Sequence, residues 1–72
     1  MPYASVEDLP ASIRRTLPEH AQDIFRSAFN SAWDSYAEEE PDRREEIAFR
    51  VAWAAVKKRY RKEHGGWVAI GR

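Results

Sequence analysis

Between Ala21 and Tyr36, each apolar residue has another apolar residue three or four positions away. This spacing lines one face of an α-helix, and the positions between the apolar residues are nearly all polar. Pro18 suits the first turn of a helix, and Glu19 places a negative charge near the positive end of the helix dipole. The pattern therefore predicts an amphipathic helix over residues 18–37, with one face on a core and the other in solvent.

A second, longer pattern predicts a helix over residues 43–62. Its apolar residues form two faces instead of one, which is typical of a central helix that is covered on several sides. Its alanines are small enough to let the helix of residues 18–37 approach closely, against the bulk of Phe25, Phe29 and Trp33. We expect these two helices to build the core. Its predicted members are Ile24, Phe25, Phe29, Trp33, Val51, Trp53, Val56 and Tyr60.

Shorter elements are predicted at both ends of the chain. Leu9, Ile13 and Leu17 recur every four residues and predict a helix over residues 10–16. The triplet "HGG" ends the third helix, because glycine readily adopts the left-handed conformation, and β-prone residues follow at 67–70. A lone strand leaves its backbone groups unpaired, so we expect it to pair with residues 2–4. The predicted fold class is mainly α, with three helices and a small terminal β-sheet.

Length and charge add two constraints. A chain of 72 residues is one domain, spanning residues 1–72. It has no cysteine, which suits a reducing compartment, and its apolar runs are shorter than the roughly 18 residues of a membrane span, so we expect a cytoplasmic protein that is not membrane-inserted. Residues 1–46 carry 11 acids and 5 bases, whereas residues 50–72 carry 7 bases and 1 acid. This separation either binds charged partners or is satisfied internally when the two halves fold together.

The basic residues gather in the run "KKRYRKEH". If the third helix continues to residue 62, Lys57 and Arg61 share a face with Arg50, while Lys58 and Lys62 project about 100° away. Such cations can hold phosphates or contact an acidic protein surface or anionic lipid headgroups; they can also complement the helix dipole and pair with the acidic half of the chain. The candidate partner-binding or nucleic-acid-binding residues are Arg50, Lys57, Lys58, Arg59, Arg61 and Lys62.

Other chemistry is sparse. The acidic stretch lacks the alternating ligands and the glycine of a calcium loop, so it qualifies only as a weak, non-specific cation site. Its candidate ligands are Glu38, Glu39, Glu40 and Asp42. His20 and His64 have no second ligand at metal-site spacing, and no phosphate loop, nucleophile motif or carboxylate pair in an apolar setting occurs. We expect no metal site, no cofactor, no small-molecule substrate and no enzyme activity.

Four segments of the chain together resemble one family. They are "MPY" at the start, "DLP" at 8–10, "LPEHAQDIFRSAFNSAW" at 17–33 and "VAWAAVKKRY" at 51–60. This combination is similar to the ChaB family, small bacterial proteins named as regulators of a cation/proton antiporter, and it spans nearly the whole chain. The resemblance implies three helices with a small sheet, and a non-enzymatic regulatory or adaptor protein that contacts a Ca²⁺/H⁺ or Na⁺/H⁺ antiporter. The alternative is a nucleic-acid-associated protein that binds phosphates through the basic end of the third helix.

Overall fold

The computed structural model describes residues 3–70 and confirms the predicted fold class, three helices with a small antiparallel sheet. The third helix begins two residues earlier than predicted, because proline is accepted at the first helical position, and it ends three residues earlier, where a strand begins. In chain order the elements are a 3₁₀ turn at Val6–Asp8, α1 at Ala11–Thr16, α2 at Glu19–Ser35, α3 at Pro41–Arg59, β1 at Tyr60–Glu63 and β2 at Gly66–Ala69.

α2 and α3 form an antiparallel hairpin that contains most of the core. α3 buries Ala48, Ala52 and Val56, one residue per turn, and this column of small side chains lets the rings of α2 come close. Phe25 and Phe29 project from α2 and are fully buried. The two helices are therefore held by large side chains of α2 that pack on a groove of small side chains in α3.

Val51 is a correction to the predicted core. The helical period places it beside Ala52, yet 39% of its surface is exposed. Among residues 3–70, Tyr3 and the sheet pack instead on the opposite flank of the α2–α3 hairpin, where Tyr3 contacts Phe29 of α2 and Trp67 contacts Trp53 of α3. Of the other predicted core residues, Phe25, Phe29, Val56 and Tyr60 are buried, and Ile24, Trp33 and Trp53 are half-buried against the core.

The sheet is a hairpin, and its strand pairing differs from the predicted one. β2 pairs with β1 from Tyr60–Ala69 to Glu63–Gly66, whereas Tyr3 and Ala4 are not in a strand and Pro2 lies outside the described residues. The two-residue turn has φ of 52° at His64 and 81° at Gly65, positive at both positions as a type I′ turn requires. The residues after Arg59 therefore turn back on themselves. Trp67 of β2 stacks on Trp53 of α3, with 5.7 Å between ring centres, and this contact attaches the hairpin to the core.

The N-terminal segment is tied to α2 instead of to the sheet. The Tyr3 amide N–H donates to Asn30 Oδ1, and the Asn30 side-chain N–H donates to the Tyr3 carbonyl, both at 2.8 Å. The Tyr3 ring lies 4.9 Å from that of Phe29. Burial raises the pKa of the Tyr3 phenol, and the negative charge of Glu45 raises it further. Asn30 thus pairs with both backbone groups of one residue, as a β-strand would have done.

Replacing Asn30 with alanine tests this contact. Each lost hydrogen bond contributes about 0.5–1.5 kcal/mol, while the higher helix propensity of alanine returns about 0.5 kcal/mol, so we expect Asn30→Ala to lower the free energy of unfolding by about 1 kcal/mol. The amide of Tyr3 should also exchange faster with deuterium. Ser31→Ala, at an exposed neighbouring position, is the control for helix propensity. Unchanged protection of Tyr3 in Asn30→Ala would contradict the assignment.

Candidate functional site: the basic end and the adjoining groove

The cations predicted to bind a partner do not form one helical face. Lys57, Lys58 and Arg59 occupy the last turn of α3, whereas Arg61 and Lys62 lie on β1, because α3 ends at Arg59. The expected alignment of Arg61 with Lys57 and Arg50 is therefore wrong. We call the five candidate residues other than Arg50 the basic end: Lys57, Lys58, Arg59, Arg61 and Lys62. All five are exposed.

Arg50 lies apart from the basic end, nearly two turns earlier on α3. Its guanidinium donates to Glu46 at 3.2 Å, one turn back on the same helix, and both side chains are well exposed. Such a pair contributes only about 0.3–0.5 kcal/mol, but it leaves Arg50 with a partner of its own. The structure therefore does not bring Arg50 together with the other candidate residues.

Within residues 3–70, most of the basic end has no counter-charge. Arg61 pairs with Glu63 at 2.7 Å on the same face of β1. Among residues 3–70, no carboxylate lies within 4.0 Å of the nitrogens of Lys57, Lys58, Arg59 or Lys62. The three cations on α3 do complement the negative end of its dipole, as the sequence suggested. In the described part of the chain, however, the acidic half does not fold back to neutralise them, and the basic end keeps a positive surface.

A groove of about 520 Å³ runs beside the basic end, between α2 and α3. Six residues of α2 between His20 and Ser31 line one side, and Ala55, Lys58 and Arg59 of α3 line the other. The middle of the groove is lined by small side chains, and its two cations lie at the end nearest the start of α2. The sequence named Lys58 and Arg59 as candidates but gave no sign of the groove, because its α2 side combines polar residues of the face predicted to be solvated with Ile24 and Ala28 of the face predicted to be buried.

Two contacts fix the end of the groove near the start of α2. His20 Nδ1 lies 3.1 Å from the hydroxyl of Tyr60, which joins the first turn of α2 to the start of β1. Asp23, the acid among the lining residues, accepts a hydrogen bond from Arg26 at 3.0 Å. Its charge is thus partly neutralised within α2. Lys58 and Arg59 are the two cations that line this end of the groove.

The acidic stretch occupies the other end of α3. Glu39 pairs with Arg43 at 3.5 Å, and Asp42 lies in the first turn of α3, where its charge favours the helix dipole. Glu38 and Glu40 are exposed, like the other two. Between residues 3 and 70, the structure has no group of three or more His, Cys, Asp or Glu side chains that could hold one metal ion. The weak cation ligands of the sequence analysis therefore do not converge.

These features define a small helical domain with a C-terminal hairpin. Its distinguishing chemistry is a shallow groove beside a surface of cations, most of which have no ion-pair partner in the described part of the chain. No helix within residues 3–70 is both long and apolar enough to cross a bilayer. The ChaB family model matches residues 9–69. The chain belongs to the ChaB family, as the sequence resemblance predicted.

Individual relatives agree with this assignment. Over 66 residues the chain is 56% identical to the "Putative cation transport regulator ChaB" of Escherichia coli K12, covering 86% of this chain and 87% of that protein. The protein of the same name from Shigella flexneri matches equally well. The "NMR solution structure of the putative cation transport regulator ChaB" superposes with a TM-score of 0.84 at 47% identity, covering 97% of this chain and all of that one.

Proposed function

We propose that this chain is a non-enzymatic regulator of cation transport that binds a Ca²⁺/H⁺ or Na⁺/H⁺ antiporter on its cytoplasmic side. The name of the relatives, putative cation transport regulator, supports the general role. The observation that carries the contact mechanism is the unpaired state of Lys57, Lys58, Arg59 and Lys62 within residues 3–70. These four cations are available to a partner without the loss of an internal ion pair.

The partner surface is defined by this charge. Exposed cations gain most from carboxylates at an interface, because charge-assisted hydrogen bonds are stronger than neutral ones and a like-charged surface is rejected. We therefore infer that the basic end contacts acidic segments of the transport protein. Binding of this kind is fast and weakens as salt rises, since exposed charges are screened within about 8–10 Å at physiological ionic strength.

A transport assay tests the proposal directly. Everted membrane vesicles from a host strain that lacks the protein are loaded with a pH-sensitive dye, and the rate of Na⁺- or Ca²⁺-driven proton exchange is measured before and after adding the purified chain. We expect the chain to change the exchange rate and the effect to decline with added salt. An exchange rate that does not respond to the chain, for either cation, would refute the proposal.

A matched pair of variants locates the contact. Lys57→Glu/Lys58→Glu reverses two adjacent exposed cations in the last turn of α3, and Arg14→Glu/Arg15→Glu makes the same change in the last turn of α1. Both variants alter net charge equally and disturb a helix dipole in the same way. We expect only the α3 variant to lose the effect on exchange.

The same variants examine the nucleic-acid alternative. Phosphate contacts are strongest at low salt, so fluorescence anisotropy with a 20-base-pair duplex at about 50 mM salt is the sensitive condition. Three results together would favour nucleic-acid binding over transport regulation: the duplex binds, the α3 variant abolishes that binding, and the chain leaves the exchange rate unchanged. If the duplex does not bind under these conditions, the basic end is left to a protein partner.

A further inference from the structure

Tyr60 and Val6 adjoin the groove at its His20 end, but among residues 3–70 its lining comes from α2 and α3 alone, on one flank of the helix hairpin. All of its lining residues come from α2 and α3, whereas Tyr3 and the β-hairpin pack against Phe29 and Trp53 on the opposite flank. Val51, one turn before Ala55 on α3, continues this flank and is 39% exposed. The groove therefore adjoins an apolar side chain that is in contact with solvent.

Its dimensions match those of a helix. The α2 side extends from His20 to Ser31, which at 1.5 Å per residue is about 17 Å, or three helical turns. The middle is lined by the small side chains of Ser27, Ala28 and Ala55. Small residues allow helix axes to approach within about 8–10 Å, and a groove between two antiparallel helices accommodates a third.

The charges that line the groove indicate which kind of helix could bind there. Lys58 and Arg59 lie at one end of the groove, and no carboxylate within residues 3–70 pairs with either of them. Asp23, at the same end, is paired with Arg26. An occupant with apolar residues against Ala28 and Ala55 and with Asp or Glu toward the two cations satisfies both features.

We propose that this groove binds an acidic amphipathic helix of a partner protein, about three turns long. The inference rests on the proposed function in one respect: the helix belongs to the regulated transport protein. Lys58 and Arg59 pair with its acids, and the small residues in the middle of the groove receive its apolar face. The other three cations of the basic end attract the partner without entering the groove.

Nuclear magnetic resonance titration with a defined probe tests the groove. The probe is a 14-residue peptide of Glu, Ala and Leu with its apolar residues on one face, and the control peptide has the same composition in scrambled order. We expect the amphipathic peptide to shift the amide signals of Ser27, Ala28, Ser31 and Ala55. Its dissociation constant should be at least about tenfold lower than that of the scrambled peptide. Equal binding of the two peptides would overturn the proposal, because it shows attraction by charge alone.

Two matched sets of variants refine this test. Lys58→Glu/Arg59→Glu and Lys57→Glu/Lys62→Glu reverse the same number of exposed cations, but only the first pair lines the groove. We expect a loss of affinity of about tenfold or more for the first and less than about threefold for the second. Ala55→Leu fills the groove and should also lose the peptide, whereas Ala54→Leu, an exposed neighbour on α3, should not. Equal losses within either set would contradict the groove.

Other occupants give different signals. Groove amides that shift on raising the protein concentration without peptide would identify a second copy of this chain, and a duplex that shifts them in the same way would identify a nucleic acid; either result overturns the partner helix. Failure of the groove is distinguishable from failure of the proposed function. A transport response that Lys57→Glu/Lys58→Glu abolishes and Ala55→Leu retains would preserve regulation and reject the groove.

Discussion

Phe25→Ala is expected to lower the free energy of unfolding by about 3–5 kcal/mol, the usual cost of removing a buried ring. Phe25 has no exposed surface, and its ring lies 5.2 Å from Trp53, 5.8 Å from Phe49 and 6.3 Å from Phe29. The substitution removes all three aromatic contacts and leaves a cavity between α2 and α3. Since small domains have only about 5–15 kcal/mol in total, the variant should be partly unfolded at physiological temperature.

Urea denaturation followed by circular dichroism measures this effect, with Tyr36→Ala as the control. Tyr36 is 41% exposed at the C-terminal end of α2, so its loss should change stability by no more than about 0.5 kcal/mol. A parent-like midpoint for Phe25→Ala would show that the aromatic cluster does not carry the stability of the fold. A large loss in Tyr36→Ala would show that the α2–α3 connection matters more than its exposure indicates.

Ala52→Leu is expected to destabilise the protein by about 1–3 kcal/mol for the opposite reason, because it adds volume where none is free. Ala52 is fully buried in the column where α2 packs on α3. A leucine there must push the helices apart and disturb the rings of Phe25 and Phe29. Thermal melting should therefore show a lower midpoint even though leucine is a good helix former.

Ala54→Leu separates packing from helix propensity. It makes the same change two positions later on α3, where the side chain is exposed, and should leave the melting midpoint within about 2–4 °C of the parent. If Ala52→Leu melts like Ala54→Leu, the helices are not in close contact at this level. Phe25→Ala tests the contribution of the large side chains of α2 to the core, and Ala52→Leu tests that of the small side chains of α3.

The helices were predictable because their signals are local. The apolar period from Ala21 to Tyr36 and the proline before it place α2 within two residues at each end. The predicted third helix extends three residues too far because "KKRYRKEH" continues a pattern that a helix would also accept. What ends α3 is the type I′ turn at His64 and Gly65, which lets residues 60–63 pair with 66–69. The pairing of the two strands depends on the turn and on the contact of Trp67 with Trp53. The apolar period of a helix carries no information about either.

The site was predictable as a set of residues but not as an arrangement. Composition identified the cations, yet their distribution between α3 and β1 follows from where the helix ends. Val51 shows the same limit, because periodicity places a residue on a face, whereas burial depends on which face another element covers. The groove combines both problems. Its middle consists of alanine and serine, which carry no distinctive pattern, and its exposure depends on Tyr3 and the β-hairpin packing on the other flank.

The 19 residues of α3 have a consequence for how the molecule meets a charged surface. The helix is about 28 Å long, with Glu38, Glu39, Glu40 and Asp42 at its beginning and the basic end at its finish. Although the net charge is zero, the acidic and basic groups are separated along α3 by a distance several times the Debye length at physiological salt. Within about one Debye length of an anionic surface, such a charge distribution favours the orientation in which the cations face that surface.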